Sequence, residues 1–252
     1  MTATLAAAQP VEVDQRAARL ARLLGLGGHA VPLIMPMLWV GAPRIREGIW
    51  RLVPAGRAPL QVGQTFVYRR PLKPGERLAL SVTGAVEESL LTLESSVVDA
   101  AGADVVSFTT RIALPRISDL RRVASGRAAP PSGPPEDAVA LRLDQDSADA
   151  YAELSGDDNP LHSDPGAARR AGLSGTILQG MLVAGLAEQA LPRPDACRRL
   201  DATFVRAVEC GQRIFVSARE VAGPAGPVTR VRVADAEGRL CCTLAAQDDP
   251  TR

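Results

Sequence analysis

The spacing of apolar residues changes along the first half of the chain, and each change predicts a different kind of secondary structure. Residues 14–24 are apolar at about every third or fourth position, which predicts a short amphipathic helix ended by the glycines that follow. Residues 30–48 are apolar but hold three prolines, so any helix there is expected to be short or distorted. From residue 62 the pattern alternates and predicts strands near Gln64–Arg70, Glu76–Glu87, Leu90–Asp99 and Asp104–Leu114.

A similar order of patterns returns after a proline-rich segment, residues 116–137, which has the composition of a linker. A short strand over Val139–Leu143 and a helix capped by Asp146 are predicted next, and a second helix is predicted to begin at Asp164-Pro165. Gly180–Leu191 is apolar nearly all round, which predicts a helix that a curved sheet must cover. The last predicted strands are Arg199–Arg206, Arg213–Val221, Val228–Ala234 and Arg239–Ala246.

The two predicted strand sets are related by a constant offset in the sequence. Arg70 to Leu78 aligns with Arg206 to Ile214 so that two arginines and one glycine coincide at an offset of 136. The same offset relates Asp99 to Asp235. A shared offset across several strands and turns favours a duplicated unit, while two unrelated meanders with similar turns remain the alternative.

Most of the candidate chemistry lies in one polar loop. His162 is one of only two histidines in the chain, and it shares this loop with Asp157, Asp158 and Asn159. Eighteen positions later the apolar helix begins at Gln179-Gly180. An acid, an imidazole and a helix start are the parts needed to move two protons beside a polarised carbonyl. The offset of 136 places alanine and leucine opposite Asp157 and His162, so one site per chain is expected.

These residues also have purely structural interpretations. A buried histidine often only satisfies hydrogen bonds, and an aspartate in a loop is often a turn residue. The position of His162 among Gly, Asp, Asn and Pro, with Asp157 five residues before it, favours a functional pair. For Gly180, close packing at the helix start and a functional role are both compatible with the sequence. The apolar residues 30–40 are interpreted as core or as the wall of a pocket.

Composition narrows the class of protein. Hydrophobic residues make up 46% of the chain and charged residues 23%, which predicts a packed globular core. The net charge is +1 and aromatic residues are 3%, which disfavours a nucleic-acid-binding surface. The longest apolar run, residues 30–42, contains two prolines and is too short for a membrane span.

The first residues of the chain and the cysteines predict a cytoplasmic protein. The first ten residues lack the positive charge of a secretory signal. The four cysteines have no metal-binding spacing, so they are expected to be reduced structural thiols, and no metal site is expected.

The polar loop resembles a family motif. Tyr151-x-x-Leu-Ser-Gly-Asp-x-Asn-Pro-Leu-His162, followed by Ala168, resembles the hydratase 2 motif of the MaoC-like dehydratases at every fixed position. Gln179-Gly-Met-Leu-Val is similar to the start of the family's central helix. The resemblance implies an α+β double hotdog, with two antiparallel sheets that each wrap a helix. It implies a degenerate hotdog at 1–115 that holds the acyl and pantetheine pocket, the linker at 116–137, and a catalytic hotdog at 138–252.

The resemblance also implies an activity, that of a hydro-lyase. The reaction is reversible addition of water to a trans-2-enoyl thioester, giving an (R)-3-hydroxyacyl thioester. The handle, meaning the group that carries the acyl chain, is coenzyme A or acyl carrier protein, and no cofactor is implied. Asp157 and His162 are then the catalytic pair, and the Gly180 N–H forms the oxyanion hole. The remaining predicted contacts to substrate come from Ser155, Asn159 and Gln179.

Gln179 departs from the family pattern, because members commonly have histidine there. Glutamine forms hydrogen bonds but does not titrate, so a change in the support of the site or in substrate preference is expected. Two other functions remain open: a non-catalytic hotdog subunit that binds acyl chains or supports a partner, and a hotdog thioesterase. A homodimer or a second hotdog chain is the expected form of assembly.

Overall fold

The computed structural model describes residues 2–27, 31–126, 133–192, 196–224 and 226–248. Within these ranges the strands are β1 (Thr2–Glu12), β2 (Leu60–Tyr68), β3 (Arg77–Glu87), β4 (Leu90–Val98), β5 (Asp104–Ala113), β6 (Val139–Arg142), β7 (Cys197–Phe204), β8 (Arg213–Gly223), β9 (Gly226–Asp235) and β10 (Leu240–Asp248). The helices are α1 (Gln15–Leu23), α2 (Met37–Val40), α3 (Pro43–Leu52), α4 (Leu120–Ala124), α5 (Gln145–Ser155), α6 (Pro165–Arg170) and α7 (Gly180–Ala187), with 3₁₀ turns at Ile117–Asp119 and Glu188–Ala190.

All ten strands form one antiparallel sheet with the order β1-β3-β4-β5-β2-β7-β10-β9-β8-β6. Strands of the first half occupy one side of this order and strands of the second half occupy the other. The two half-sheets meet where β2 pairs with β7. The sheet is therefore two five-stranded halves that are joined edge to edge.

The strand positions confirm the duplication predicted from the sequence. β3, β4 and β5 begin 136 positions before β8, β9 and β10 respectively. The helix α3 begins within one position of the place that the same offset gives for α7. The offset relates whole elements, so the two halves are copies of one unit.

The central helix of the second half is buried along its length. Every residue of α7 from Met181 to Ala187 is buried, and the helix packs against β9 and β10. In the first half the counterpart of α7 is α3, and the apolar residues before it are interrupted, as the prolines predict: α2 has four residues, and α3 begins at Pro43. The two halves therefore differ in the segment that leads into this helix.

The structure differs from the sequence predictions at three places. The strand β1 was not predicted, and it pairs with β3 through an irregular register. Asp144, rather than Asp146, caps α5, because its side chain accepts the backbone N–H of Ser147. Part of the proline-rich segment is folded, since α4 lies within it and buries Leu120 and Ala124. Pro130 and Pro131 of that segment lie outside the described residues.

Other local predictions are confirmed. Asp164 caps α6 by accepting the N–H of Gly166 at 2.7 Å, and Pro165 is the first helical residue. The four cysteines are free thiols, and three of them are buried. None of the described helices has the length and apolar character required to cross a membrane.

Candidate active site

A cavity of about 360 Å³ lies between the two halves and contains every residue predicted for the site. The first half contributes residues of α2, α3, β2 and β5, among them Met37, Val40 and Ile112. The second half contributes the polar loop and the start of α7, with Ser155, Asp157, Asn159, His162, Gln179 and Gly180. The volume suits a small-molecule site.

A series of short turns places the acid and the imidazole on the same side of the loop. The helix α5 ends at Gly156, whose φ of +70° favours glycine. The Asp157 N–H then donates to Ser155 Oγ at 3.2 Å, and Asp157 Oδ1 accepts the N–H of Asn159 at 3.2 Å. The His162 N–H donates to the carbonyl of Asn159 at 3.0 Å. The positions of both side chains therefore follow from the backbone of this loop.

Asp157 and His162 form a close pair that faces the cavity. His162 Nε2 lies 3.7 Å from Asp157 Oδ2, and the other ring nitrogen, Nδ1, lies 2.7 Å from the carbonyl oxygen of Ile177. Because a carbonyl oxygen can only accept, Nδ1 carries the proton, and Nε2 of the neutral ring presents its lone pair to the cavity. The exposed fraction is 11% for the imidazole and 38% for the carboxylate. The imidazole therefore lies inside and the carboxylate lies toward solvent.

The backbone around His162 is held by a chain of hydrogen bonds. The carbonyl of His162 accepts from Gln145 Nε2 at 2.7 Å, and Gln145 Oε1 accepts from Thr176 Oγ1 at 2.6 Å. The next residue, Ile177, donates its N–H to Leu161 and accepts from the imidazole. Residues 176–177 thus fix both the position of the ring and its tautomer.

Gly180 is the first residue of α7, and both interpretations of this glycine find support in its surroundings. A Cβ atom at this position would lie 3.2 Å from the ring of Phe204, so the packing favours glycine. Gln179 makes no side-chain capping bond to the helix start. The first backbone N–H groups of a helix lack intrahelical partners and carry a partial positive charge. The start of α7 therefore supplies donors at the wall of the cavity.

Gln179 links the start of α7 to α5. Its side chain is 2% exposed, and its Nε2 donates to the carbonyl of Ala148 at 3.1 Å. Within the described structure its Oε1 is buried without a hydrogen-bond partner. The amide therefore supports the helix start, and one acceptor remains unused.

Ser155 and Asn159 line the cavity, but their side-chain oxygens also serve the loop. Ser155 Oγ accepts from Asp157, and Asn159 Oδ1 accepts the N–H of Leu161 at 3.2 Å. Substrate contact by these two residues stays a prediction.

Two residues of the first half contact the polar loop and were not found from the sequence. Arg46 on α3 donates from Nη1 to the carbonyl of Gly156 at 2.8 Å, and its Nε lies 3.3 Å from Asp158 Oδ2. Gly41 lies so close that an added Cβ would be 1.5 Å from the carbonyl oxygen of Ser155. Both contacts join positions more than 100 residues apart in the chain, so no local pattern signals them.

Tyr151 is a motif residue to which the sequence assigned no role. It is buried, and it lines the cavity with Asp157. Burial raises the pKa of its hydroxyl well above the ordinary value, and the nearby charges of Asp157 and Glu188 add to the effect. Tyr151 therefore presents a neutral hydroxyl. Within the described ranges no group of three or more His, Cys, Asp and Glu residues is placed to share a metal ion.

Comparison with known proteins gives one family match and one short curated match. Residues 127–236, which include all six predicted site residues, match the family model described as MaoC-like domain. A stretch of 37 residues is 54% identical to a mitochondrial 3-hydroxyacyl-[acyl-carrier-protein] dehydratase from Arabidopsis thaliana. That alignment spans 15% of this chain and 22% of the relative.

Solved structures extend the likeness to the whole chain. The chain is similar to HtdX from Mycobacterium tuberculosis with a TM-score of 0.75, at 21% identity, over 96% of this chain and all of that one. It is also similar to a protein from the same organism that is described as having a double hotdog fold. That match has a TM-score of 0.62 at 13% identity and covers 98% of this chain and 94% of the other. The predicted α+β double hotdog is confirmed.

Proposed function

We propose that the protein is a hydro-lyase acting on acyl thioesters, from the premise that residues 127–236 match the model of the MaoC-like domain within a chain of double-hotdog fold. The reaction proposed is reversible hydration of a trans-2-enoyl thioester to the (R)-3-hydroxyacyl thioester. The single observation that carries the proposal is the pair of Asp157 Oδ2 and His162 Nε2, 3.7 Å apart in a cavity that also holds the start of α7.

The imidazole suits the role of base at the carbon next to the thioester. Its Nδ1 proton is engaged by Ile177, so Nε2 is free to remove the α-proton in dehydration. Asp157, transiently protonated, donates its proton to the departing 3-hydroxyl, which leaves as water. The carbon–hydrogen and carbon–oxygen bonds break, and the electron pair from carbon 2 forms the double bond.

The proton transfers of Asp157 and His162 balance over one reaction cycle. After one dehydration His162 holds the proton taken from carbon 2, and Asp157 has given one to the leaving water. A small side-chain movement from the 3.7 Å separation brings Nε2 and Oδ2 to hydrogen-bond distance, where a proton can return from the imidazole to the carboxylate and restore the starting state. Hydration follows the same steps in reverse: the Asp157 carboxylate orients the water and takes a proton from it, and His162 gives its proton to carbon 2.

The helix start stabilises the charge that forms on the thioester oxygen. Removal of an α-proton places negative charge on that oxygen, and a donor must be present at that moment. The Gly180 N–H at the first turn of α7 is the proposed donor, supported by the helix dipole. These groups belong to the chain itself, and the proposal requires no metal or organic cofactor.

The proposal is tested by following the absorbance of a conjugated enoyl thioester with wild-type protein, Asp157→Asn and His162→Gln. Each substitution removes one proton-transfer group, so we expect kcat to fall by at least about 100-fold with the fold intact. Asp146→Asn, an exposed change on α5, is the matched control and keeps the wild-type rate. Wild-type rates in either of the first two variants reject the assignment.

The finer features of the proposal need separate measurements. A panel of acyl-coenzyme A and acyl-carrier-protein substrates identifies the handle, and chiral analysis of the product identifies the configuration at carbon 3. Release of free thiol from a saturated acyl thioester would instead indicate a thioesterase. A cysteine nucleophile is disfavoured for that reaction, because burial raises the pKa of the Cys241 thiol to about 12.

A further inference from the structure

We propose that the first half of the cavity contains a site for a hydroxyl group on the acyl chain, beyond the reacting carbons. The site is a polar cluster of Gln61, Gln64 and Thr110 on the inner side of β2 and β5. The proposal rests on the proposed function in one respect, namely that the ligand is an acyl thioester. It adds the substrate class, a hydroxylated acyl chain.

The polar cluster is a connected set of hydrogen bonds in the interior. Gln64 Oε1 accepts from Thr110 Oγ1 at 2.8 Å and from Gln61 Nε2 at 3.1 Å. Gln64 is fully buried and Thr110 is 2% exposed. Thr110 and Gln61 line the cavity, and Gln64 lies behind them as the shared acceptor. Gln61 is partly exposed, and burial of the other two polar side chains is costly unless their hydrogen bonds are satisfied.

The duplicated half shows that the fold does not need polar residues at these positions. Gln64 pairs with Thr110 across β2 and β5, and the offset of 136 makes Leu200 and Ala246 their counterparts. Those two residues pair in the same way across β7 and β10, and both are buried. The same structural place is apolar in one copy and polar in the other. The polar residues occur in the half where this place borders the cavity. Their position therefore favours a role in binding a ligand over a role in folding.

The cluster retains unused hydrogen-bonding capacity on its cavity side. Thr110 donates its single proton to Gln64, so its oxygen is left as an acceptor. Gln61 donates one N–H to Gln64 and has a second N–H and a carbonyl oxygen available. A hydroxyl group both donates and accepts, so it can bond to Thr110 and Gln61 together.

The apolar surroundings of Thr110 favour the acyl chain over the handle as the source of this hydroxyl. The neighbours of Thr110 are apolar, with Met37 Sδ 3.8 Å from its hydroxyl and Leu93 and Ile112 in the same wall. A coenzyme or carrier-protein handle must continue to solvent, whereas the end of an acyl chain can terminate in an apolar recess.

The test measures binding, so it does not depend on turnover. The probes are an unsubstituted saturated medium-chain acyl-coenzyme A and analogues with one hydroxyl at successive carbons beyond the third. One hydroxylated analogue is expected to bind the wild-type protein about tenfold more tightly than the unsubstituted thioester, which corresponds to about 1.4 kcal/mol. Thr110→Val is expected to remove this preference and to leave the affinity for the unsubstituted thioester unchanged.

Two further variants keep the test decisive. Thr109→Val changes the neighbouring residue, whose hydroxyl donates to Glu94 on the opposite side of β5, and it keeps the preference. If Thr110→Val does not fold, the double variant Gln64→Leu, Thr110→Ala installs the pair already present as Leu200 and Ala246. It is expected to lose the preference in the same way.

Three results overturn the proposal. One is equal affinity of the wild-type protein for every hydroxylated analogue and the unsubstituted thioester. Another is an equal loss of affinity for both kinds of ligand in Thr110→Val. The third result comes from N-acetylcysteamine thioesters, which lack most of the handle. If Thr110→Val weakens binding only of coenzyme A thioesters, whether or not the acyl chain carries a hydroxyl, the cluster binds the handle. If the wild-type protein binds the hydroxylated thioester more tightly but does not hydrate enoyl thioesters, the proposed function is refuted and the hydroxyl site is not.

Discussion

Thr65 and Asp201 face each other where the two half-sheets meet, and Thr65 Oγ1 donates to Asp201 Oδ1 at 2.7 Å. These residues are 136 positions apart, so each is the counterpart of the other in the duplicated unit. When two equivalent strands pair in antiparallel fashion, only residues at the twofold axis face their own counterparts. The axis that relates the two halves therefore passes between Thr65 and Asp201.

We expect Thr65→Val to lower the free energy of unfolding by about 1 kcal/mol, since it removes this one hydrogen bond. Denaturant unfolding provides the measurement. Thr203→Val is the control: it lies on β7 opposite Gly63, and its side chain has no hydrogen bond in the described structure. Equal stabilities of the two variants would show that the bond contributes nothing at this joint.

Gly41 is predicted to tolerate no side chain. A methyl group there would overlap the backbone carbonyl of Ser155. Backbone atoms cannot move aside as the end of a side chain can, so we expect Gly41→Ala to lower the free energy of unfolding by about 3 kcal/mol or more. Gly175→Ala is the control, because an added Cβ meets no atom within 4 Å there. The melting temperatures of the two variants give the comparison, and similar values would contradict the close approach.

Arg46 is predicted to act as a positioning residue, since it holds the backbone of the loop on either side of Asp157. Arg46→Met removes bonds to Gly156 and Asp158, and we expect kcat on the enoyl thioester to fall about tenfold with little change in KM. Arg46→Lys, which keeps the charge, is expected to recover part of the rate.

The matched control for this prediction is on the same helix. Arg51 forms an ion pair with Glu47, and its side chain is 78% exposed, so Arg51→Met is expected to keep the wild-type kcat. A purely structural role of Arg46 would lower the stability without changing kcat for the folded protein. That result, seen in thermal melts and steady-state kinetics together, would refute the positioning role.

Glu188 is predicted to make the stability of the protein depend on pH. Its two carboxyl oxygens accept the N–H groups of Leu33 and Ile34 at 2.9 Å, which lowers its pKa. Burial has the opposite and larger effect and raises the pKa to about 8. The folded state therefore keeps a proton that the unfolded state releases. The stability from this group is full below about pH 4.5 and is lost as the pH rises to about 8.

Glu188→Gln tests this dependence, because the amide does not titrate. Denaturant unfolding between about pH 5 and pH 8 is expected to show a decline for the wild-type protein that is absent in the variant. The variant is also expected to be less stable by about 1–3 kcal/mol at the acid end, since an amide cannot accept both N–H groups. Parallel pH profiles would disprove the raised pKa.

Much of the fold could be predicted because it repeats. The offset read from Arg70 and Arg206 places six of the strands, and the loop residues from Tyr151 to His162 form a local motif whose turns bring the acid and the imidazole together. These features depend on neighbours in the sequence. The catalytic roles of Asp157 and His162 stay predictions until the variants are measured.

The features that could not be predicted depend on distant contacts. The alanine-rich residues 2–12 contain Pro10 and have weak strand preference, and they form β1 only because β3 offers an open edge. Asp144 and Asp146 are both suitable caps by type, and the extended backbone at Asp144 decides between them. Arg46 is an ordinary helical arginine in the sequence, since its partner Gly156 is 110 residues away.

The unbroken joint between β2 and β7 also governs how a ligand can enter. Five residue pairs face each other there, and parting the two halves would expose their backbone groups to water. The backbone pairing of β2 with β7 therefore resists separation of the two halves. We expect a ligand to reach the cavity while this joint stays intact, without one half moving away from the other.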